Sequence, residues 1–171
     1  MAGCLGLNGI GGDYIEVPNS TSLQTAGNMS IVFWLRPENI SIGRINPLDK
    51  AYFGELSLVI ETDGSLSYYH GQSISNYFSW TALGVGAIVN NQAIRVVITR
   101  DNVSKTLKSY ANGSLISTVT YNVDPSISSN PIKIGLGSTA VPYKGKQDEI
   151  AIYPRVLTDD EVNNEYYGSK P

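Results

Sequence analysis

The chain has 171 residues and is 42% hydrophobic, enough to bury one sizeable core and too apolar for a disordered segment. A formal net charge of -3 provides no basic field for a nucleic-acid backbone, and the longest apolar run, Ile31-Val32-Phe33-Trp34-Leu35, is far too short to cross a bilayer. A single cysteine, Cys4, excludes an intramolecular disulfide and so argues against a small stapled secreted scaffold.

Met1-Ala2-Gly3-Cys4 has neither the basic start nor the apolar core of a secretion signal, so none is expected. Leu5-Gly6-Leu7 predicts a short first strand, followed by the glycine-rich loop Asn8-Gly9-Ile10-Gly11-Gly12. Tyr14-Ile15-Glu16-Val17 alternates and stops at Pro18, as an edge strand does. After a polar loop from Asn19 to Asn28 comes the strongest strand, Met29 to Arg36. Met29, Ile31, Phe33 and Leu35 share one face, with Val32 and Trp34 on the other. Apolar groups on both faces predict a central strand, covered on both sides or lining a groove.

Residues 38–51 read as a loop. Tyr52 to Glu61 and Gly64 to His70 flank Asp63-Gly64, which predicts a hairpin with a type I′ turn. Residues 72–92 mix polar and aromatic groups without a clear period, and bring Tyr77, Phe78 and Trp80 close together. Ala93 to Arg100 predicts a second central strand. Thr106 to Ala111 and Ser114 to Tyr121 flank Asn112-Gly113, a second type I′ signal. Asn130-Pro131 introduces Ile132-Lys133-Ile134-Gly135. Near the end, Ile150 and Ile152 alternate with small or polar neighbours. Beyond Pro154, Thr158 and Glu161 have the spacing of a helix capping box. Short strands, frequent turn signals and one terminal helix predict an all-β antiparallel sandwich, a single domain over 1–171.

These landmarks, taken in order, resemble the laminin G-like, concanavalin A-like lectin/glucanase jelly rolls. The resemblance is carried by Leu7-Asn8-Gly9 with Asp13 to Pro18, by Met29 to Pro37, by Leu107 to Leu115 around Asn112-Gly113, by Ile132 to Gly135, and by Tyr143 to Val162. It implies a two-sheet jelly roll whose first and last strands lie side by side. The chain departs from the family pattern at Asn8, where an aspartate is common, and at Asn90-Asn91-Gln92-Ala93, where a Trp-His pair is common.

The resemblance also implies a structural calcium, with Asp148 as ligand and Asp13 and the carbonyls of the Asn8–Asp13 loop as partners. The alternative role for Asp148 is to cap turns or pair with Lys144 or Lys146. Catalysis is not expected. Glu55, Glu61 and Asp63 do not form the one-strand carboxylate array of related glucanases, and adjacent Asp148 and Glu149 point to opposite faces of a strand. His70, the only histidine, has no nucleophile motif around it and reads as structural, and Cys4 reads as packed and inert.

Aromatic side chains offer platforms for sugar rings, at Tyr68-Tyr69, at Tyr77-Phe78-Trp80 and at Trp34. Trp34 reads more simply as core, and Tyr166-Tyr167 as docking the tail. The expected binding rim is Gln72, Asn76, Tyr77 and Trp80, because loops at the ends of a sandwich carry function. The first reading of function is a non-catalytic bacteriophage virion component on the particle surface: a capsid decoration, fibre or tail protein. Its partners would be other virion proteins, further copies of itself or a cell-surface glycan, with no nucleic acid and no membrane. The second reading is an extracellular carbohydrate-binding module of a secreted bacterial protein. A glycosidase or polysaccharide lyase stands third.

Overall fold

The computed structural model describes residues 4–139 and 141–168. The expectation about the first residues, Met1 to Gly3, lies outside them.

Twelve strands and a terminal helix follow in chain order: β1 Leu5–Asn8, β2 Ile15–Val17, β3 Met29–Pro37, β4 Ile45–Ala51, β5 Leu56–Ile60, β6 Leu66–Ser73, β7 Asn76–Leu83, β8 Ile94–Asp101, β9 Thr106–Ala111, β10 Ser114–Thr120, β11 Ile132–Ile134, β12 Lys144–Tyr153 and α1 Asp159–Gly168. They form two six-stranded sheets, ordered β1-β12-β3-β8-β9-β10 and β2-β11-β4-β5-β6-β7. Every named strand pair is antiparallel. The jelly-roll sandwich is as the sequence predicts, and β1 does lie against β12.

The core between the sheets follows from the two-residue period of the strands. Met29, Ile31, Phe33 and Leu35 of β3 meet Leu48, Leu58, Ile60 and Tyr68 of the second sheet. Each such side chain, fully withdrawn from water, contributes about 1.5–3 kcal/mol. The opposite face of β3 is covered by α1: Val32 packs with Val97, Tyr110, Leu157 and Val162, and Trp34 meets Tyr166 at a ring separation of 5.9 Å. Of the two readings of β3, coverage on both faces is correct.

The helix starts where the capping box places it. The Glu161 N–H donates to Thr158 Oγ1 (3.2 Å) and the Thr158 N–H to Glu161 Oε2 (2.9 Å). Arg155 also holds Glu161 (2.8 Å), and with the Thr158 N–H it lowers that carboxyl to about 2. Ser30 ties the approach to β3, donating to the Arg155 carbonyl and accepting from the Leu157 N–H.

Three local expectations are corrected. Residues 45–51, read as loop, are β4. Pro47 sits in an irregularity between Ile45 and Leu48 where the ladder with β5 shifts register, so it removes no needed donor. Tyr52 to Gly54 are a turn and not strand; the following strand is β5, Leu56–Ile60. The Asp63-Gly64 hairpin exists, but only Gly64 has positive φ (79°). The Asp63 carboxylate accepts from both the Ser65 N–H and hydroxyl, which fixes Asp63 outside the left-handed region that a type I′ turn requires. The Asn112-Gly113 turn, with φ of 51° and 84°, is type I′ as predicted.

Candidate functional site

The second sheet sorts its side chains by row. Ile134, Leu48, Leu58, Tyr68 and Trp80 stand opposite one another across β11, β4, β5, β6 and β7 and face the core. The next row, Lys133, Asp49, Ser57, Tyr69 and Ser79, faces outward. The outer face is therefore polar and aromatic, and among the described residues no α-helix covers it.

An aromatic strip crosses that face. Tyr52 stacks on Tyr69 with centroids 4.4 Å apart and planes at 24°. Phe53 meets Tyr52 edge-on at 4.8 Å and Tyr77 at 5.0 Å. The turn that presents Tyr52 and Phe53 closes at Gly54, whose N–H donates to the Ala51 carbonyl, while its own carbonyl accepts from Gly71 of β6. Arg44 orders the strip. Its Nη2 donates to Tyr69 Oη at 2.7 Å and Tyr52 Oη at 3.4 Å, and a two-pronged contact holds Glu61 at 2.8 and 3.0 Å. The hydrogen bond with Glu61 raises the guanidinium pKa further. Burial, then the neighbouring Tyr69 hydroxyl, pushes the Tyr52 phenol up to about 12.

The facing wall is the segment between β10 and β12. Ser126 donates its N–H and hydroxyl to the Gly71 carbonyl. Ser138 donates its N–H and hydroxyl to Asp49 Oδ2 at 2.9 and 2.8 Å. Thr139 does the same to Asn46 Oδ1 at 2.9 and 2.7 Å. The Asn46 amide in turn donates to Ser57 Oγ and the Leu58 carbonyl. Gly137 permits this close approach, since a Cβ there would lie 2.5 Å from Asp49 Cβ. Strip and wall enclose a groove of about 920 Å³, lined by Arg44, Tyr52, Phe53, Ser126, Asn130 and Thr139 among others. A smaller cavity of about 340 Å³, lined by Glu16, Asp49, Lys50 and Lys133, adjoins it at Asn130 and Ser138.

Of the expected rim, Tyr77 joins the aromatic strip with 42% of its surface exposed. Gln72 and Asn76 hydrogen-bond to each other at 2.9 Å near the β6–β7 turn and do not line the groove. Trp80 is a correction. It lies in the inward row of β7 and packs against the core. Sequence reasoning missed Arg44, Asn46 and Asp49, because their segment reads as a loop and partners such as Ser138 and Thr139 lie far along the chain, and missed Phe53, because its turn reads as strand.

The two expected calcium ligands do not converge. Asp13 Oδ2 accepts the Asn8 N–H at 2.5 Å, and Asn8 Oδ1 accepts from the Ile10 N–H, closing the loop on itself. Asn8 pairs with Lys144, whereas Gln147, next to Asp148, pairs with Leu5 at the far end of β1. Asp148 Oδ1 accepts the Glu149 N–H at the β12 bulge. No group of three His, Cys, Asp or Glu side chains suited to a metal occurs among the described residues. The chain's own residues thus do not fit an ion shared by Asp13 and Asp148.

Potential catalytic groups are also engaged. Glu55 is buried against Lys50 at 2.5 Å, Glu61 is held by Arg44, and Asp63 caps its own turn. His70 is buried, with Nδ1 against Tyr68 Oη (3.0 Å) and Nε2 against the Val123 carbonyl (2.7 Å). Burial first, then the Arg100 charge, lowers it to about 4. Cys4 is free and partly buried.

This sandwich, with one face closed by a helix and the other opening into a polar-aromatic groove, has the architecture of a lectin-type jelly roll. The family model of the concanavalin A-like lectin/glucanases superfamily matches residues 8–163, and the chain belongs to that superfamily. No curated protein sequence matches it. Among solved structures, it is similar to the binding domain of Paraclostridial Mosquitocidal Protein 1, with a TM-score of 0.81 and 19% identity over 96% of this chain and 43% of that one. It is similar to the Ruminococcus gnavus IT-sialidase CBM40 bound to α2,3 sialyllactose, with a TM-score of 0.67 and 18% identity over 88% and 94% of the two chains. The binding domain of Botulinum Neurotoxin DC in complex with SialylT gives a TM-score of 0.73 and 18% identity, over 96% of this chain and 41% of that one. The chain thus spans about two-fifths of each toxin domain.

Proposed function

We propose that this protein is a non-catalytic carbohydrate-binding module whose ligand lies in the groove on the outer face of the second sheet. The observation that carries this reading is the groove itself. Tyr52 and Phe53 line it and supply aromatic surface for sugar CH groups, with Tyr69 and Tyr77 packed against them, and the Ser126, Asn130 and Thr139 wall supplies donors and acceptors for hydroxyls. The similarity to a sialidase CBM40 along nearly the whole of both chains supports it. So does the engagement of Glu55, Glu61 and His70 in structural contacts.

A glycan array followed by calorimetry tests the proposal. Phe53→Ala and Tyr52→Ala should each weaken binding by about tenfold, equivalent to about 1.4 kcal/mol. Unchanged affinity in both variants would remove the groove from consideration. Turnover of any polysaccharide in a broad panel, lost in Glu61→Gln, would overturn the non-catalytic reading.

Such a module works at an exposed surface, extracellular or on a virus particle. Among the described residues no helix is long and apolar enough to cross a membrane. The proposal that the particle is a bacteriophage rests on sequence character alone and is tested by the genomic neighbourhood, where capsid and tail genes are expected. A structural calcium is proposed only for the Asn8–Asp13 loop, through Asp13 and backbone carbonyls. Melting with and without chelator decides it, and an unshifted midpoint rejects it.

A further inference from the structure

Resting on the reading of the groove as a glycan site, we infer that it selects uncharged saccharides and discriminates against acidic ones, sialylated and uronate-bearing chains alike. The charges around the two adjoining cavities carry this. Three cations line them, Arg44, Lys50 and Lys133, and each is matched by a carboxylate. Arg44 grips Glu61 through two nitrogens. Lys50 contacts Glu55 with both side chains almost fully buried, and spends its other donors on Asn19 Oδ1 and the Leu23 carbonyl. Lys133 lies 4.0 Å from Glu16 and over the Tyr14 ring.

Asp49 is the carboxylate left over. It lines the small cavity and is 7% exposed, and only neutral donors reach it. Ser138 gives two hydrogen bonds to Oδ2, while Oδ1, fully enclosed, accepts none. Among the described residues no cation lies against this carboxylate, unlike Glu16, Glu55 and Glu61. The group it disfavours is a second anion, since like charges meeting away from bulk water repel with little screening. An incoming carboxylate would also have to break Arg44 from Glu61 to gain a guanidinium. The remaining lining groups, Ser126, Ser128, Asn130 and Thr139, are neutral and suited to hydroxyls.

The test is calorimetry on the intact chain, in chelator, with neutral oligosaccharides found on the array and the same glycans carrying a terminal sialic acid or uronate. The acidic forms should bind at least about tenfold more weakly, and the gap should narrow as salt is raised. Asp49→Asn retains an oxygen for Ser138 and places an amide donor at the unsatisfied position. It should narrow the gap, read as the ratio of neutral to acidic affinity measured on the same variant. Acidic glycans bound as tightly as neutral ones would overturn the inference and leave the carbohydrate reading standing. A gap insensitive to both salt and Asp49→Asn would overturn the role of Asp49; if that variant fails to melt cooperatively, the salt series on the unaltered protein decides. Binding of no glycan at all is a different result, and would end the parent reading along with this one.

Discussion

His70 and Arg100 show how the closed end of the sandwich handles polar side chains. Arg100 has no exposed surface, yet its guanidinium donates to the carbonyls of Glu55, Gly27 and Thr25 and to Tyr68 Oη. Arg100→Ala strands these acceptors in the interior. We expect a loss of roughly 3–5 kcal/mol, visible as a collapse of the denaturant midpoint. His70 is kept neutral there, with a folded pKa of about 4 against the usual 6.5. The unfolded chain therefore binds the extra proton first as pH falls. Stability from this residue is complete above pH 6.5 and is lost progressively between 6.5 and about 4. The loss should reach up to about 3 kcal/mol, because each tenfold difference in proton affinity between the folded and unfolded chain is worth about 1.4 kcal/mol. Melting curves across that window should show the slope, and His70→Asn should flatten it; an equal slope in the variant would refute the assignment. The structural role of His70 is legible from the missing nucleophile motif. Arg44 and Asn46 are not legible, because a side chain whose partner lies 93 residues away, as Thr139 does from Asn46, leaves no local pattern.

Among the elements, those whose signals are local can be read correctly from the chain. The capping box at Thr158 and Glu161, the type I′ turn at Asn112-Gly113 and the two-faced strand β3 each depend on residues a few positions apart. Strand β4 escapes such a reading because Ile45-Asn46-Pro47-Leu48-Asp49-Lys50 carries turn-forming residues in nearly every other place. Those same residues anchor the groove wall, so the stretch that departs most from strand composition is also the one that builds the candidate site. Two tests belong at this scale. Thr158→Ala removes a helix cap and should cost about 1 kcal/mol, read as a lower midpoint with glycan binding unaffected. Gly113→Ala places a Cβ at φ of 84°, within 3.3 Å of Tyr166 on α1. It should both strain the turn and loosen the helix, whereas substitution at exposed Gly6, with open space around it, should do neither.

For the whole molecule, the division of labour between faces decides what each surface can do. One outer face is spent on α1 and its apolar cluster under Val32 and Val97, and the other carries the groove. Sequence alone identifies the jelly roll, since alternation and turns decide which side of each strand is apolar. It puts recognition on the rim at residues 72–80, whereas the groove is lined by none of that segment, and Tyr77 meets it only through its contact with Phe53. Sheet order explains the difference: β4 and β6, separated in the chain by β5, both present outward side chains that only the folded sheet brings into one row. Substitutions on the helix-covered face should therefore lower the midpoint without altering glycan affinity. Val162→Ala is the direct check, with an expected loss of about 1–2.5 kcal/mol and an unchanged dissociation constant.

The wall across the groove hangs from the sheet by two side chains, Asn46 and Asp49, each gripping the N–H and hydroxyl of one residue. Its residues from Ser126 to Asn130 add almost nothing to the apolar interior. Anchorage of the wall and lining of the groove thus fall largely to different positions of one segment. On the glycan-binding reading proposed above, a library that varies residues 127–130 while keeping Asn46, Asp49, Gly137, Ser138 and Thr139 should shift the preference among glycans while the melting temperature holds. In that sense the fold works as a stable chassis whose groove lining can be exchanged.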